Sequence, residues 1–370
     1  MTSYAKSTIE NGCSTLFFGD PERTKQFFEE VVQYPSGDNA QPFDFKVTSN
    51  NTLSVSVCSE RSRHALNFND WATYISLGAL IEQMVIVASQ FGFSIEYDSK
   101  TASASGNWNF SFSYRADLEP DPLCSMLSQR ESDRRSFHKG DLSASFQKSL
   151  TQNFNFPNSR IQFQRIEEGM LPYLSQTETL VFNWKKAFMD ILKWISFDSV
   201  PRQLRGLPWK NLGISVIESK IIQAISKVPF LFHVFYHLRW HKGAEMSSKQ
   251  KFRSSAGVLL ISTSSMDSRN LINCGRSLLR VWTYLCGSDY GVQLHTSSTL
   301  PYCHHLVDSS HLRQLPSRNR KTYLKLAPLF FQKYFSLDSS KYPVILMRFG
   351  KSSPIPDDMK ALRQPIQESH

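Results

Sequence analysis

The sequence predicts an α+β fold in which two successive cycles each combine antiparallel strands with flanking helices. Three observations predict it. Apolar residues alternate with period two in short runs, they recur with helical spacing in longer runs, and the same succession of strands and apolar helix appears twice along the chain. With 370 residues, 41% of them hydrophobic and 13% aromatic, the chain carries ample apolar surface for a packed core, which excludes extended disorder. The 16 Gly and 17 Pro are scattered, which excludes collagen-like and low-complexity readings.

In the first cycle Asp20 reads as an N-cap with Pro21 at the first helical position, and Phe27, Phe28, Val31 and Val32 share one helix face. The chain then breaks from Tyr34 to Pro42. Phe43, Phe45 and Val47 alternate with polar residues, Ser49-Asn50-Asn51 turns, and Leu53, Val55 and Val57 alternate again, which predicts a hairpin. Asp70 opens a long helix whose Leu77, Leu80, Ile81, Met84, Val85 and Val87 make it apolar on every side, and therefore buried. Gly92 ends it. Ile95 and Tyr97, then Trp108, Phe110, Phe112 and Tyr114, read as two more strands.

A second cycle follows Pro120-Asp121-Pro122. The pattern predicts a helix over 142–150, a strand over 161–166, helices over 177–195 and 216–239, a strand over 257–261, a helix over 268–285 and a closing strand over 343–348. The long helices of the two cycles echo each other, since each contains a glycine (Gly78, Gly275) and leaves through another (Gly92, Gly291) into a strand. Aligned on those glycines, the second copy is two residues longer. The expected halves are residues 1–120 and 121–370.

Lys and Arg number 42 against 32 Asp and Glu, a formal charge of +10, which favours an anionic partner such as a phosphate-bearing cofactor, a nucleic acid or an anionic membrane. The basic runs 239–253 and 313–321 lack the aromatic interleaving of a single-strand binder, so they read as solvated faces and no nucleic acid is expected. Cysteines 13, 58, 124, 274, 286 and 303 form no CxxC pair and match no zinc spacing, so no metal is expected. The polar N-terminus lacks a signal-peptide core, which predicts a cytoplasmic protein. Val228–Trp240, read as the most apolar stretch, is interrupted by Pro229, His233, His237 and Arg239, and no membrane span is expected.

Two segments carry chemistry. Between helix and hairpin, Pro35 and Pro42 stiffen a loop whose Ser36, Asn39 and Gln41 suit the grip of a polar planar ligand, the alternative being an ordinary Asx-rich connection. Farther on, Arg130, Ser132 and Arg134 occupy alternate positions that in an extended segment converge on one phosphate, the alternative being a solvated basic turn.

Pro35-Ser36-Gly37-Asp38-Asn39-Ala40-Gln41-Pro42-Phe43 resembles the P-S-x-x-N-x-Q-P-[WF] loop of the nitroreductases that depend on flavin mononucleotide (FMN). Arg61-Ser62-Arg63-His64, Asp70 and the helix from Leu77-Gly78-Ala79 to Gly92 are similar to that family's dimer-core helix, and Arg130 to Phe137 is similar to its R-x-S-x-[RK] opening. The resemblance implies a nitroreductase-like fold and an FMN-dependent oxidoreductase. Pro35, Ser36, Gly37, Asn39 and Gln41 would meet the ribityl chain and ring edge, and Arg130, Ser132 and Arg134 the phosphate and ribityl chain. Lys351, from the closing strand, or Arg363, from the basic tail, would complete the cradle.

In that family each FMN lies between two subunits and the R-x-S-x-R segment precedes the loop. The reversed order here resembles single-chain, internally duplicated members, and implies a monomer acting as a pseudo-dimer with one complete site and a degenerate mirror site. The implied reaction is two-electron transfer from NAD(P)H through flavin N5 to a small-molecule acceptor, with no catalytic side chain. An FMN-dependent dehydrogenase or oxidase and a non-catalytic FMN-sequestering protein are the alternatives. The segment 292–297 would bring a backbone amide to N5, with Cys286 to Gly291 read as an insertion ahead of it, and His295 either enters the pocket or packs. Residues 209–253 read equally as a lid over the flavin or as core.

Overall fold

The computed structural model describes residues 8–9, 16–97, 106–198, 204–308, 310, 317–365 and 367–368. Cys13 and the start of the basic run at 313 lie outside the described residues.

The first half begins with α1 (Pro21–Val31), where the Asp20 carboxylate caps the helix by accepting from Arg23 N–H. The hairpin β1 (Phe43–Ser49) and β2 (Thr52–Val57) follows, then α2 (Trp71–Gln90), β3 (Phe93–Tyr97) and β4 (Asn107–Tyr114). These strands form one antiparallel sheet in the order β1-β2-β4-β3. The period-two residues Phe43, Phe45, Val47, Leu53, Val55, Trp108, Phe110 and Phe112 are all buried.

The second half runs through α3 (Ala144–Gln152), β5 (Ser159–Arg165), α4 (Leu171–Glu178), α5 (Lys185–Leu192), α6 (Val216–Lys227), α7 (Leu231–His237) and α8 (His241–Arg253). It continues with β6 (Gly257–Thr263), α9 (Ser268–Gly287), β7 (Tyr290–Leu294), α10 (Leu300–Val307), α11 (Ser317–Phe335) and β8 (Tyr342–Lys351). Its antiparallel sheet has the order β5-β6-β8-β7.

Strand for strand, the two sheets have the same order when each is read as hairpin-like pair, long helix, edge strand and central strand. The long helices α2 and α9 both have 20 residues, and both they and the strands that follow them, β3 and β7, are displaced by 197 residues, from 71 to 268 and from 93 to 290. This displacement corrects the alignment of Gly92 with Gly291. The residue equivalent to Gly92 (φ +76°) is Asp289 (φ +62°), so a left-handed backbone closes both helices and nothing is inserted before β7.

At the centre α2 packs across α9. The described helix long and apolar enough to cross a bilayer is Phe68–Gln90, more apolar than Val228–Trp240, and it lies in this core with 83% of its apolar window buried. Glu82, 2% exposed, accepts from Arg276 Nε and Arg280 Nη1 at 2.7 Å each, and Arg280 also reaches Asp121.

Two predicted helices are broken. The helix expected over 177–195 is α4 and α5 separated by 179–184, where Asn183 bonds back to Thr179 O through its side chain. Pro229 ends the helix expected over 216–239, because its ring cannot follow a helical residue, and α7 restarts after it. The insertion between β5 and β6 has its own apolar cluster of Phe188, Leu192, Ile222, Ile225 and Phe232, with Trp240 packed on it.

Candidate functional site

A cavity of about 390 Å³ is lined from three sources. The first half supplies Ser36, Gly37 and Asp38 of the loop and Thr73 and Ser76 of α2. The second half supplies Ser132, Arg134 and the segment Gln293 to Ser297. The insertion closes it with Phe182, Trp194, Ile222 and Lys251, so residues 209–253 wall the cavity and also share a small core with Phe188 and Leu192.

The loop is conformationally costly. Asp38, Asn39 and Gln41 all have positive φ, of 49°, 55° and 49°, which side chains other than glycine rarely adopt. Ser36 Oγ holds the bend by accepting from Gln41 N–H at 3.0 Å. Gly37, with no atom within 4 Å of where a Cβ would stand, opens onto the cavity.

Asn39 and Gln41 face two distant tripeptides. Asn39 Nδ2 donates to Gly206 O and to Leu362 O, both at 2.8 Å, while Gln41 Nε2 donates to Leu204 O at 2.7 Å and Gln41 Oε1 accepts from Gln364 N–H at 2.9 Å. The middle residues of the pinned segments are Arg205 and Arg363. Each has a buried guanidinium nitrogen without a hydrogen-bond partner among the described residues, as do Arg61 and Arg130.

Arg61, Arg205 and Arg363 lie close enough to Tyr34 for their charges to act on its hydroxyl, and Arg130 adjoins Arg363. Arg130 is 5% exposed, donates to Gln33 O and lies 4.8 Å over the Trp282 ring. Arg61 is 8% exposed and pairs with Asp44. Burial lowers Arg130 to about 10, and burial together with the neighbouring Arg130 charge does the same to Arg363. A buried guanidinium depressed this way favours an anion beside it.

The strip 130–135 runs along β7, where Ser132 bridges Val292 and Asp133 N–H donates to Val292 O at 2.8 Å. Ser132 and Arg134 line the cavity, and Arg134 bonds Asn211 Oδ1. Arg130 lies instead behind Trp282, which lines the cavity itself. On the opposite side of the strip, Asp133 pairs with Arg135 at 2.8 Å.

Of the sequence candidates, Pro35, Ser36, Gly37, Ser132 and Arg134 line the cavity, whereas Asn39 and Gln41 hold backbone and Arg363 belongs to the arginine cluster. Lys351 is elsewhere. Its Nζ donates to Ser288 O at 2.9 Å and sits 4.3 Å over the Tyr290 ring.

His295 is buried and lines the cavity, its Nε2 against Glu178 and its Nδ1 against Ser298 Oγ. Burial would raise Glu178, but the charge and hydrogen bond of His295, helped by Lys251 and Arg348, outweigh it and lower the carboxyl to about 2. Arg205 and Glu178 carry no signal in the sequence, because no local spacing ties them to the loop or to β7, and Lys251 shows only as part of the basic run 239–253.

The positions of α9 equivalent to the cavity-lining residues of α2 are covered. Thr73, Ser76 and Ala79 correspond to Asn270, Asn273 and Arg276. Asn270 accepts from Asn158 at 3.1 Å, Asn273 donates to Pro157 O at 3.0 Å, and the Phe156 ring covers Arg276 at 4.1 Å. The short connection from α3 to β5 thus lies where the first half leaves open space.

No family model matches the chain, and no curated protein matches it. Among solved structures, it is similar to a nitroreductase with bound FMN from Bacteroides fragilis NCTC 9343, at 9% identity and a TM-score of 0.30, over 63% of this chain and 89% of that one. It is also similar to the FMN and NADPH-dependent nitroreductase NfnB from Sphigopyxis sp. strain HMH, at 10% identity and a TM-score of 0.31, over 68% of this chain and 96% of that one.

Proposed function

We propose that this chain is an FMN-binding oxidoreductase of the nitroreductase type, in which residues 1–120 and 121–370 stand in for two subunits around one cofactor site. The observation that carries the reading is that Pro35, Ser36 and Gly37 of the loop and Ser132 and Arg134 of the strip, far apart in sequence, line one cavity, while Asn39 and Gln41 hold the backbone on either side of Arg205 and Arg363, whose buried guanidinium nitrogens have no hydrogen-bond partner among the described residues. The donor set fits FMN: four arginines against the carboxylates Asp44 and Glu131 leave an excess of positive charge suited to a phosphate dianion.

When bound, FMN supplies two-electron transfer at N5, from NAD(P)H to an acceptor. Arg130 and Arg363 would hold the phosphate, with Arg61 and Arg205 adding charge. Ser36, Ser132 and Arg134 would fix the ribityl chain, and Gln293 to Ser297 would border the ring. Asn39 and Gln41 act one step back, by holding the backbone of Arg205 and Arg363 in place. Phe156, over Arg276, accounts for a single site, since it occupies the mirror position.

The visible spectrum of the freshly purified, desalted protein tests this reading. A flavin band that NADPH or NADH bleaches without oxygen is expected. A colourless protein that takes up no FMN on incubation sinks it.

A further inference from the structure

The insertion presents one helix face to the cavity that the flavin reading leaves unused. Ala244, Ser247, Ser248 and Lys251 of α8 all line it, at the spacing of a single helical face. Ser248 is 4% exposed, and its Oγ is buried without a hydrogen-bond partner among the described residues. One turn away, Lys251 Nζ donates to Gly213 O at 2.9 Å, and among the described residues no carboxylate forms an ion pair with it.

The acidic residues that line the same cavity have partners of their own. Glu178 meets His295 and also accepts from Gln293 Nε2 at 3.3 Å, and Glu218 Oε2 accepts from Ser215 N–H at 2.7 Å in the cap of α6. Burial, with the cations Arg348 and Arg134, lowers the pKa of Lys251 against the opposing charges of Glu178 and Glu218, which attract its ammonium without forming an ion pair among the described residues. A half-buried ammonium beside a partnerless hydroxyl calls for an anionic acceptor group. The remaining wall is apolar and aromatic, with Phe182, Phe188, Ile191 and Trp194.

We propose that the acceptor is an aromatic monocarboxylate, its carboxylate held by Lys251 Nζ and Ser248 Oγ and its ring laid against Phe182, Phe188 and Trp194. This assignment rests on the oxidoreductase reading for the word acceptor, while the anion site stands on its own geometry. Lys251 and Ser248 set specificity and touch no reacting atom.

Calorimetric titration of the purified protein with benzoate, and with its neutral isostere benzamide, is the test. Benzoate is expected to bind about tenfold tighter than benzamide, with Lys251→Met removing that preference and leaving benzamide affinity within twofold, and Ser248→Ala weakening benzoate alone. Equal binding of the two ligands by the unaltered protein overturns the proposal, and so does a Lys251→Met variant that keeps the preference for benzoate. Benzamide binding shows in each variant that the cavity has formed. The flavin band of the same preparation separates the two readings: a yellow protein indifferent to the carboxylate overturns only this inference, whereas a colourless one that selects benzoate through Lys251 supports it and counts against the cofactor.

Discussion

Gly78 and Gly275 make the same contact in opposite directions. A Cβ on Gly78 would fall 2.0 Å from Ile272 O, and a Cβ on Gly275 would fall 2.0 Å from Ile75 O, each being the residue three before the other glycine. The obstacles are backbone atoms, so neither helix can yield by rotating a side chain. Alanine at either position should destabilise the protein by roughly 1–3 kcal/mol or more through forced separation of α2 and α9. Urea denaturation of the two single variants checks this, and similar penalties are expected from the reciprocal geometry.

Glu82 is expected to be among the least replaceable side chains. Glu82→Gln leaves Arg276 and Arg280 in the helix interface without their shared counter-charge, which should cost about 3–5 kcal/mol as judged from buried pairs that lose one partner. The fall in denaturation midpoint measures it. The equivalent position on α9 is Leu279, so Leu279→Ala should show only a cavity cost, with no dependence on salt.

Acid should weaken the fold through Glu178. Its carboxyl, at about 2 in the folded protein against an ordinary 4.5, is depressed, so the stability it adds is complete above about 4.5 and is lost as the pH falls toward 2. Across that window the unfolded chain takes up a proton that the folded chain resists, so stability falls as the pH falls. Glu178→Gln should remove that part of the acid slope in a series of melts between pH 5 and pH 3.

Flavin retention should distinguish the two basic residues of the C-terminal region. Arg363→Ala is expected to weaken FMN binding tenfold or more, and Arg205→Ala to weaken it to a smaller extent. Lys351→Ala should stay within twofold, because its ammonium is committed to Ser288 O and the Tyr290 ring. Fluorescence titration of apoprotein with FMN provides the comparison.

Asp289→Gly should stabilise the protein by up to about 1 kcal/mol, since Asp289 holds a left-handed φ of 62° where the equivalent residue is Gly92. A higher midpoint in thermal melts is the expected outcome.

Much of the fold was legible because its signals are local. Phe43, Phe45 and Val47 alternate as a half-buried strand must, and the apolar run of α2 leaves no face for water. The loop at Pro35–Gln41 was legible as a motif. Its division of labour was not: Ser36 and Gly37 face the cavity, while Asn39 and Gln41 bond to backbone 163 to 323 residues away, a relation no spacing encodes. Gly78 and Gly275 made the pairing of α2 with α9 legible, but Asp289 hid where the second helix closes, because its left-handed backbone is not marked by a glycine. The α8 face was silent for a related reason, since Ala244, Ser247, Ser248 and Lys251 alternate small with polar and produce no hydrophobic stripe.

The bonds from Asn39 and Gln41 to Leu362 and Gln364 span 323 residues. A chain growing at roughly 5–20 residues per second makes its loop on the order of tens of seconds before the segment that braces it. Until residue 364 has been made, Arg363 cannot join Arg130, and the cluster lacks one of its four guanidinium groups. A chain truncated ahead of Leu362 should therefore fold its first sheet yet, on the proposed function, hold FMN poorly.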